Sequence, residues 1–387
     1  MPDPTPDYLP CNVVRPAFPV LQDTVYLNVG TYGLMPDPAL RQFQEWQAEF
    51  EQRGVASRVN IGAKAQAARE RIAALLNVAR EEIAFTRNAT DGINLALAGM
   101  DWQPGDEVIT TDEEHEAMAH PLLYLQRARG IKAHFIDVSP DPAVMLARIE
   151  AVATARTRLV AMSHVTCETG TRLPAREICD WARSRGIWSL FDGAQAFGAF
   201  AVDVRGLGCD FYTINGHKWF GGPKGTGIFW GRKDRLVELL PAHVGAGSLE
   251  RADIAAGVAD LWQTAARFEF GTRAQAVYAG LNGSLDWFES LGWDAVYRHV
   301  AALNQYLKAQ IMRRPHLELL TPQAPDASSG LVSFVVRERV AGDVSRRLSE
   351  RRIVVRVIPH FNAIRISTAH FNCACDINEL MSAIDGL

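Results

Sequence analysis

An excess of charge of either sign is missing from this chain. Across 387 residues, 40 basic side chains face 44 acidic ones, a formal net charge of −4. Proteins that bind nucleic acid or anionic membranes carry a basic footprint, and this balance provides none. Long hydrophobic runs are missing as well: no stretch approaches the roughly 20 apolar residues that cross a bilayer. The opening Met1-Pro2-Asp3-Pro4-Thr5-Pro6-Asp7 has no basic segment leading into an apolar one, so no signal peptide is expected there. Cysteine is scarce and scattered, with six in all (Cys11, Cys167, Cys179, Cys209, Cys373, Cys375). That spacing argues against a secreted disulfide framework and fits a reducing cytoplasm. Lysine is rare beside arginine: only six of the 40 basic residues are lysine (Lys64, Lys132, Lys218, Lys224, Lys233, Lys308).

Several motifs are incomplete. His115-Glu-Ala-Met-Ala-His120 has the look of a helical zinc motif, but its histidines are five apart. On a helix they point about 140° away from each other, so no shared metal is expected. Gly221-Gly-Pro-Lys-Gly-Thr-Gly227 inverts the Gly-Lys-Thr order of a phosphate loop. The Gly-x-Ser-x-Gly elbow of hydrolases is absent. Cys373-x-Cys375 lacks a second ligand pair and reads as two thiols.

What is present is an alternating rhythm. Proline-punctuated residues 1–24 read as an arm lying on a larger body, and a helical pattern runs from about 37 to 76. Short apolar runs follow at 107–111, 133–137, 159–163, 188–192 and 211–214, with helical patterns at 116–129, 142–153 and 174–185 between them. Alternation of this kind predicts an α/β domain, a mostly parallel sheet covered on both faces, over residues 25–273. From 274 the pattern changes: helices at 274–289 and 293–313 precede strands at 331–337, 353–358 and 363–368 and a last helix from about 376. This predicts a smaller C-terminal α/β domain, residues 274–387. Residues 323–330 read as a loop.

In such sheets ligands bind beyond the carboxyl ends of the strands. Strand 188–192 ends in Asp192-Gly-Ala-Gln195, and strand 211–214 ends in Asn215-Gly-His217-Lys218. A carboxylate and a lysine thus meet at adjacent strand ends. Gly216 and Trp219 flank the lysine, a setting that desolvates its amine and exposes a neutral nucleophile. Upstream, Thr86-Arg-Asn-Ala-Thr90-Asp-Gly-Ile93 feeds an apolar-periodic helix whose first amides offer a phosphate site, with Thr90 as its expected N-cap. Phosphate cradle, carboxylate and reactive lysine are the parts of a pyridoxal 5′-phosphate site.

Asp-Gly-Ala-Gln followed some twenty residues later by Gly-His-Lys-Trp resembles the class V aminotransferases, fold-type I pyridoxal-phosphate enzymes. The likeness extends through Tyr26-Leu-Asn28, Gly99-Met-Asp-Trp-Gln-Pro-Gly-Asp106, Arg267-Phe-Glu-Phe-Gly-Thr272 and Ile364-Arg-Ile-Ser367. It implies a seven-stranded large domain, an N-terminal arm packed on the small one, and pyridoxal 5′-phosphate as cofactor. Lys218 would condense with its aldehyde, Asp192 would pair with the ring nitrogen, and Gln195 would contact the phenolic oxygen. His115 would stack on the ring, while Ala89, Thr90, Asn215 and His217 would hold the phosphate. Thr272 would reach the phosphate of a neighbouring subunit, implying a homodimer with shared sites. Arg365 would clamp the substrate carboxylate as a bidentate fork, with Arg356, Glu168 and His360 as further substrate-binding candidates.

Departures from the family pattern bear on the reaction. Desulfurases need a mobile thiolate, and the matching stretch Val354-Val-Arg-Val-Ile-Pro-His-Phe-Asn-Ala-Ile-Arg365 holds no cysteine. The expectation is therefore a lyase cleaving a C–S bond of cystine, cysteine or a cysteine S-conjugate. Its alternatives are an isopenicillin N epimerase-like enzyme, an aminotransferase or an oxidative deaminase acting on a larger conjugate, and, outside enzymes, a cofactor-free scaffold. His164-Val-Thr-Cys167-Glu168-Thr-Gly170 departs from its relatives too, and leaves the substrate open.

Overall fold

The structure, a computed structural model, describes residues 8–387; the first seven residues of the expected arm lie outside that range. Seven strands make the central sheet: β1 (Ile83–Thr86), β2 (Glu107–Thr111), β3 (Lys132–Ile136), β4 (Thr157–Ser163), β5 (Trp188–Asp192), β6 (Phe211–Asn215) and β7 (Gly227–Gly231). Their spatial order is β1-β7-β6-β5-β4-β2-β3. Pairing is parallel except at β7, which runs antiparallel to both β1 and β6.

Strand residues alternate between two apolar cores. Ile109, Val160, Phe191 and Tyr212 join one cluster, while Val108, Leu159, Leu190 and Phe211 join the other. Consecutive side chains in a strand point to opposite faces, so burial on both faces needs continuous apolar runs. Helices α1 (Asp37–Arg53), α2 (Arg58–Leu75), α3 (Ala89–Gly99), α4 (Glu116–Arg129), α5 (Pro142–Val152) and α6 (Ala175–Ser184) accompany this sheet. The expected helix over 37–76 is interrupted: Gly54 adopts φ 53°, a left-handed value that ends α1, and a 3-10 turn leads into α2. The pattern at 274–289 likewise divides into Gln275–Ala279 and α7 (Leu281–Leu291), followed by α8 (Trp293–Met312).

A second sheet contains β8 (Leu317–Leu319), β9 (Leu331–Val336), β10 (Arg356–Ile358) and β11 (Ala363–Ser367), in the order β8-β9-β11-β10 and antiparallel throughout. The strand expected over 353–358 is two: Ile353–Val354 pairs in parallel with Val25–Tyr26, and Arg356 begins β10. Helices α9 (Ala341–Glu350) and α10 (Ala374–Asp385) complete the chain. The arm is fastened here, Arg15 Nη1 donating to both carboxylate oxygens of Asp376 (2.8 and 2.9 Å) and the Leu9 amide to His299 Nδ1 (3.3 Å).

Cys373 and Cys375 are joined by a disulfide rather than free as thiols. Cys373 sits in extended backbone before α10 and Cys375 in its first turn, which brings their Cα atoms to 5.2 Å, within disulfide reach. Among the described residues, no helix is long and apolar enough to cross a membrane.

Candidate functional site

The carboxyl ends of β5 and β6 open into a cavity of about 740 Å³. Asp192, the last residue of β5, is 4% exposed, and its Oδ1 accepts from the Ala194 amide at 2.9 Å. Lys218 follows β6 and is 9% exposed. Burial holds its amine below the usual lysine range, and the negative charge of Asp192 partly restores it. For Asp192 burial raises the pKa and Lys218 opposes the rise. The turn carrying Lys218 is fixed by close backbone approach: the Gly33 amide donates to His217 O at 2.8 Å. A Cβ at Gly33 would stand 1.9 Å from the Lys218 carbonyl oxygen, so no larger residue fits there.

Around this floor the structure assembles most of the sequence candidates. Ala89 and Thr90 begin α3, and the Ala89 amide donates to Asn215 Oδ1 at 2.9 Å. The N-cap is Asn88, whose Oδ1 accepts from the Asp91 amide, and not Thr90, which lies one residue inside the helix and lines the cavity. His217 lines the cavity with a buried Nδ1 that has no protein partner, and burial pushes its pKa down to about 4. His115 caps α4, its Nδ1 accepting from the Ala117 amide at 3.0 Å, which places the ring proton on Nε2. Burial, then Lys218, lower the His115 pKa to about 4, leaving a neutral ring over the cavity. Gln195 is held at both ends: its Nε2 donates to Gly30 O (2.9 Å) and its Oε1 accepts from Trp219 Nε1 (2.8 Å). One amide hydrogen is left to face the cavity.

From the second sheet, Arg365 on β11 reaches across, its Nη2 donating to Thr31 Oγ1 (3.1 Å) and its Nη1 to Cys167 O (2.5 Å). Its buried Nε has no partner, and burial brings its pKa down to about 10. Arg356 and Glu168 line the same cavity. His360 is exposed outside that lining, its Nδ1 3.8 Å from Glu168 Oε2. Thr272 is exposed and does not line the cavity of its own chain. Cys167 lines it, but burial pushes its thiol up to about 12.

Sequence reasoning missed Glu114. Its carboxylate accepts from Thr111 Oγ1 (2.6 Å), the Ser163 amide (2.9 Å) and Ser163 Oγ (2.7 Å), tying the ends of β2 and β4 together beside His115. In the string Asp112-Glu-Glu-His-Glu116 nothing separates it from its surface-like neighbours; only the fold brings Ser163 to it. Burial raises the Glu114 pKa to about 7. A carboxyl whose pKa is raised on folding stabilises fully below its unfolded value and loses that contribution as pH rises through the folded one. In Glu114→Gln the amide satisfies the same three groups without titrating. Wild type is therefore expected to lose on the order of 2 kcal/mol against the variant between pH 4.5 and 8, partial exposure holding this below full linkage. Denaturant melts of both proteins across that range test it; parallel curves reject it.

Comparison with known proteins agrees with this layout. The family model described as aminotransferase class-V matches residues 37–380. A cysteine desulfurase from Dickeya dadantii is 30% identical, covering 98% of this chain and 97% of that protein. An isopenicillin N epimerase from Streptomyces clavuligerus is 30% identical and covers 94% of each. Among solved structures, the cystine C–S lyase C-DES in complex with its product cysteine persulfide superposes with a TM-score of 0.87 at 30% identity, covering 95% of this chain and 98% of that one. A C-DES lysine-to-alanine mutant with glycine covalently linked to the PLP cofactor superposes with a TM-score of 0.88 at 30% identity, covering 96% and 98%. A match of this length, on a sheet whose strand ends carry lysine beside aspartate, establishes that the chain belongs to the class V aminotransferase family, whose cofactor is pyridoxal 5′-phosphate.

Proposed function

We propose that this enzyme cleaves the C–S bond of a cysteine-derived amino acid by removing its Cα proton and expelling sulfur from Cβ. The residues present fit the cofactor. At the start of α3 the Ala89 and Asp91 amides already donate to Asn215 and Asn88, and the Thr90 amide can take a phosphate beside its own hydroxyl and the unpartnered Nδ1 of His217. Asp192 suits a protonated ring nitrogen, and neutral His115 offers a flat face against the ring.

When bound, pyridoxal phosphate joins an amine covalently and withdraws electrons from the adjacent carbon. The chain's residues supply the rest. Arg365 holds the substrate carboxylate, which fixes the Cα–H bond relative to Lys218. Lys218 Nζ takes the Cα proton, a role its lowered pKa suits because the neutral amine is the base. The C–S bond then breaks with its electron pair on sulfur, which leaves as a thiol after gaining a proton; water releases the remainder as pyruvate and ammonia. Asp192 keeps the ring nitrogen protonated throughout. We place Thr272 at the active site of a second copy, in a homodimer.

The observation that carries this reading is where the thiols lie. A persulfide mechanism needs a mobile thiolate at the substrate, and residues 354–365, which reach the cavity through Arg356 and Arg365, hold no cysteine. Among the described residues Cys167 is the one thiol lining the cavity, half-buried, and burial there raises its pKa and disfavours the thiolate. Direct elimination needs no such thiolate. Incubating the holoenzyme with S-substituted cysteines should release thiol, pyruvate and ammonia in equal amounts. Absence of all three rejects the proposal. Persulfide formation on Cys167 with alanine as product would instead favour the chemistry named for the desulfurase relatives. The likeness to an isopenicillin N epimerase supports one second reading, proton removal and return at Cα, which would turn over substrate without releasing thiol.

A further inference from the structure

One reactive bond takes no part in the chemistry at the cavity: the disulfide between Cys373 and Cys375, neither of which lines it. As a staple this bond does little. It joins residues two apart in sequence, and so small a ring restricts the unfolded chain least. The turn it spans is also fixed without it. The Cys373 amide and Asn372 Nδ2 both donate to Asp376 Oδ2 (3.1 and 3.0 Å), and Asn372 Nδ2 also reaches Tyr26 O (3.1 Å). Opening the bond therefore need not unwind α10. Its two sulfurs stand in different surroundings. Cys373, the residue before α10, is 2% exposed, whereas Cys375 in the first turn faces solvent. Arg15 Nη1, already paired with the Asp376 carboxylate, donates to Cys373 Sγ over 3.8 Å. A helix N-terminus and a guanidinium both favour a thiolate. Cys373 is thus the better leaving sulfur and Cys375 the accessible target, and both features set the rate of exchange.

We propose that this pair is a thiol–disulfide exchange site for low-molecular-weight thiols, with Cys375 the sulfur attacked and Cys373 the sulfur released. A thiolate RS⁻, its proton lost to solvent, bonds to Cys375 Sγ. The bond to Cys373 breaks, and its electron pair goes to Cys373 Sγ as a thiolate beside Arg15. A second RS⁻ attacks the small-molecule sulfur of the mixed disulfide, which leaves RSSR and a Cys375 thiolate. The two protein thiolates then take up the two protons. Two RSH are oxidised to one RSSR, and the protein disulfide gains two electrons; a low-molecular-weight disulfide reverses both steps. Arg15 belongs to the N-terminal arm, so the exchange occurs where that arm is fastened to α10. The site acts independently of the reaction at the cavity.

The test incubates the folded holoenzyme anaerobically with 2-mercaptoethanol, adds N-ethylmaleimide in excess over thiol, then denatures and digests after arginine and lysine. Cleavage after Arg365 yields residues 366–387, a peptide with no cysteine besides these two. Its doubly labelled form should accumulate with time while the protein stays folded. Arg15→Gln should slow that accumulation roughly 3-fold, through the poorer leaving sulfur, and Arg15→Lys should restore it. Single variants locate the target. With hydroxyethyl disulfide, Cys373→Ser should form a mixed disulfide at Cys375 at least about 10-fold faster than Cys375→Ser forms one at the buried Cys373. A disulfide that opens only in denaturant overturns the proposal. So do equal rates for the two single variants, or an opening rate that Arg15→Gln leaves unchanged.

Discussion

Lys218→Ala is expected to abolish covalent fixation of the cofactor to the protein by borohydride and to lower turnover by about 10³-fold or more. The size follows from two losses at one atom. The side chain is the amine that the fold buries beside Asp192 at the carboxyl ends of β5 and β6, held by the Gly33–His217 backbone contact. Removing it takes away both the covalent attachment and the base that moves the Cα proton. Alanine leaves a small space and keeps the turn, because the fixing contacts are made by the backbone. The variant should therefore melt cooperatively and still take up cofactor through Thr90 at the start of α3 and Asp192. Cofactor still fixed to the protein by borohydride, or turnover within tenfold of wild type, would assign the attachment to another lysine. Among the described residues the other lysine lining the cavity is Lys224, which is engaged with Gly33 O.

How far the chain announces this arrangement depends on where each signal lies. β2, β5 and β6 are buried on both faces, so their apolar runs stand out and their polar last residues mark the site. β7 escapes because Gly227 and Gly231 bound it, and because it pairs antiparallel to β6 after the irregular loop 216–226 rather than after a helix. β1 escapes because four residues lying next to a helix start carry no period of their own. Lys218, Asp192, His115 and Arg365 follow from local strings and their resemblance. Glu114, Thr31 and the backbone approach of Gly33 do not, since each matters through a partner tens to hundreds of residues away. Asn88 displaces Thr90 as the N-cap because its side chain reaches Asp91 in a backbone geometry the string does not fix. The disulfide between Cys373 and Cys375 follows from the bend into α10, which spacing alone leaves undetermined.

Asp192→Asn separates charge from shape at the other side of the floor. Asn retains an oxygen for the Ala194 amide and nearly the same volume, so β5 and its turn should be undisturbed. What disappears is a buried negative charge with two dependants. Toward the cofactor, the ring nitrogen loses the partner that keeps it protonated, and turnover should fall roughly 100- to 1,000-fold, the range for removing one preorganised electrostatic contact. Toward Lys218, the charge that raises the amine's pKa against burial is gone, so burial acts unopposed by Asp192 and the pKa moves further down. That second effect can be read in cofactor-free protein by following acylation of Lys218 against pH: the midpoint should lie lower in the variant than in wild type. A merely structural role for Asp192 would slow turnover while leaving that midpoint in place. A midpoint that rose would contradict the pairing of the two residues. Both shifts have one origin, because a carboxylate this deeply buried is tolerated only where positive charge answers it, and the fold supplies that charge from one strand away.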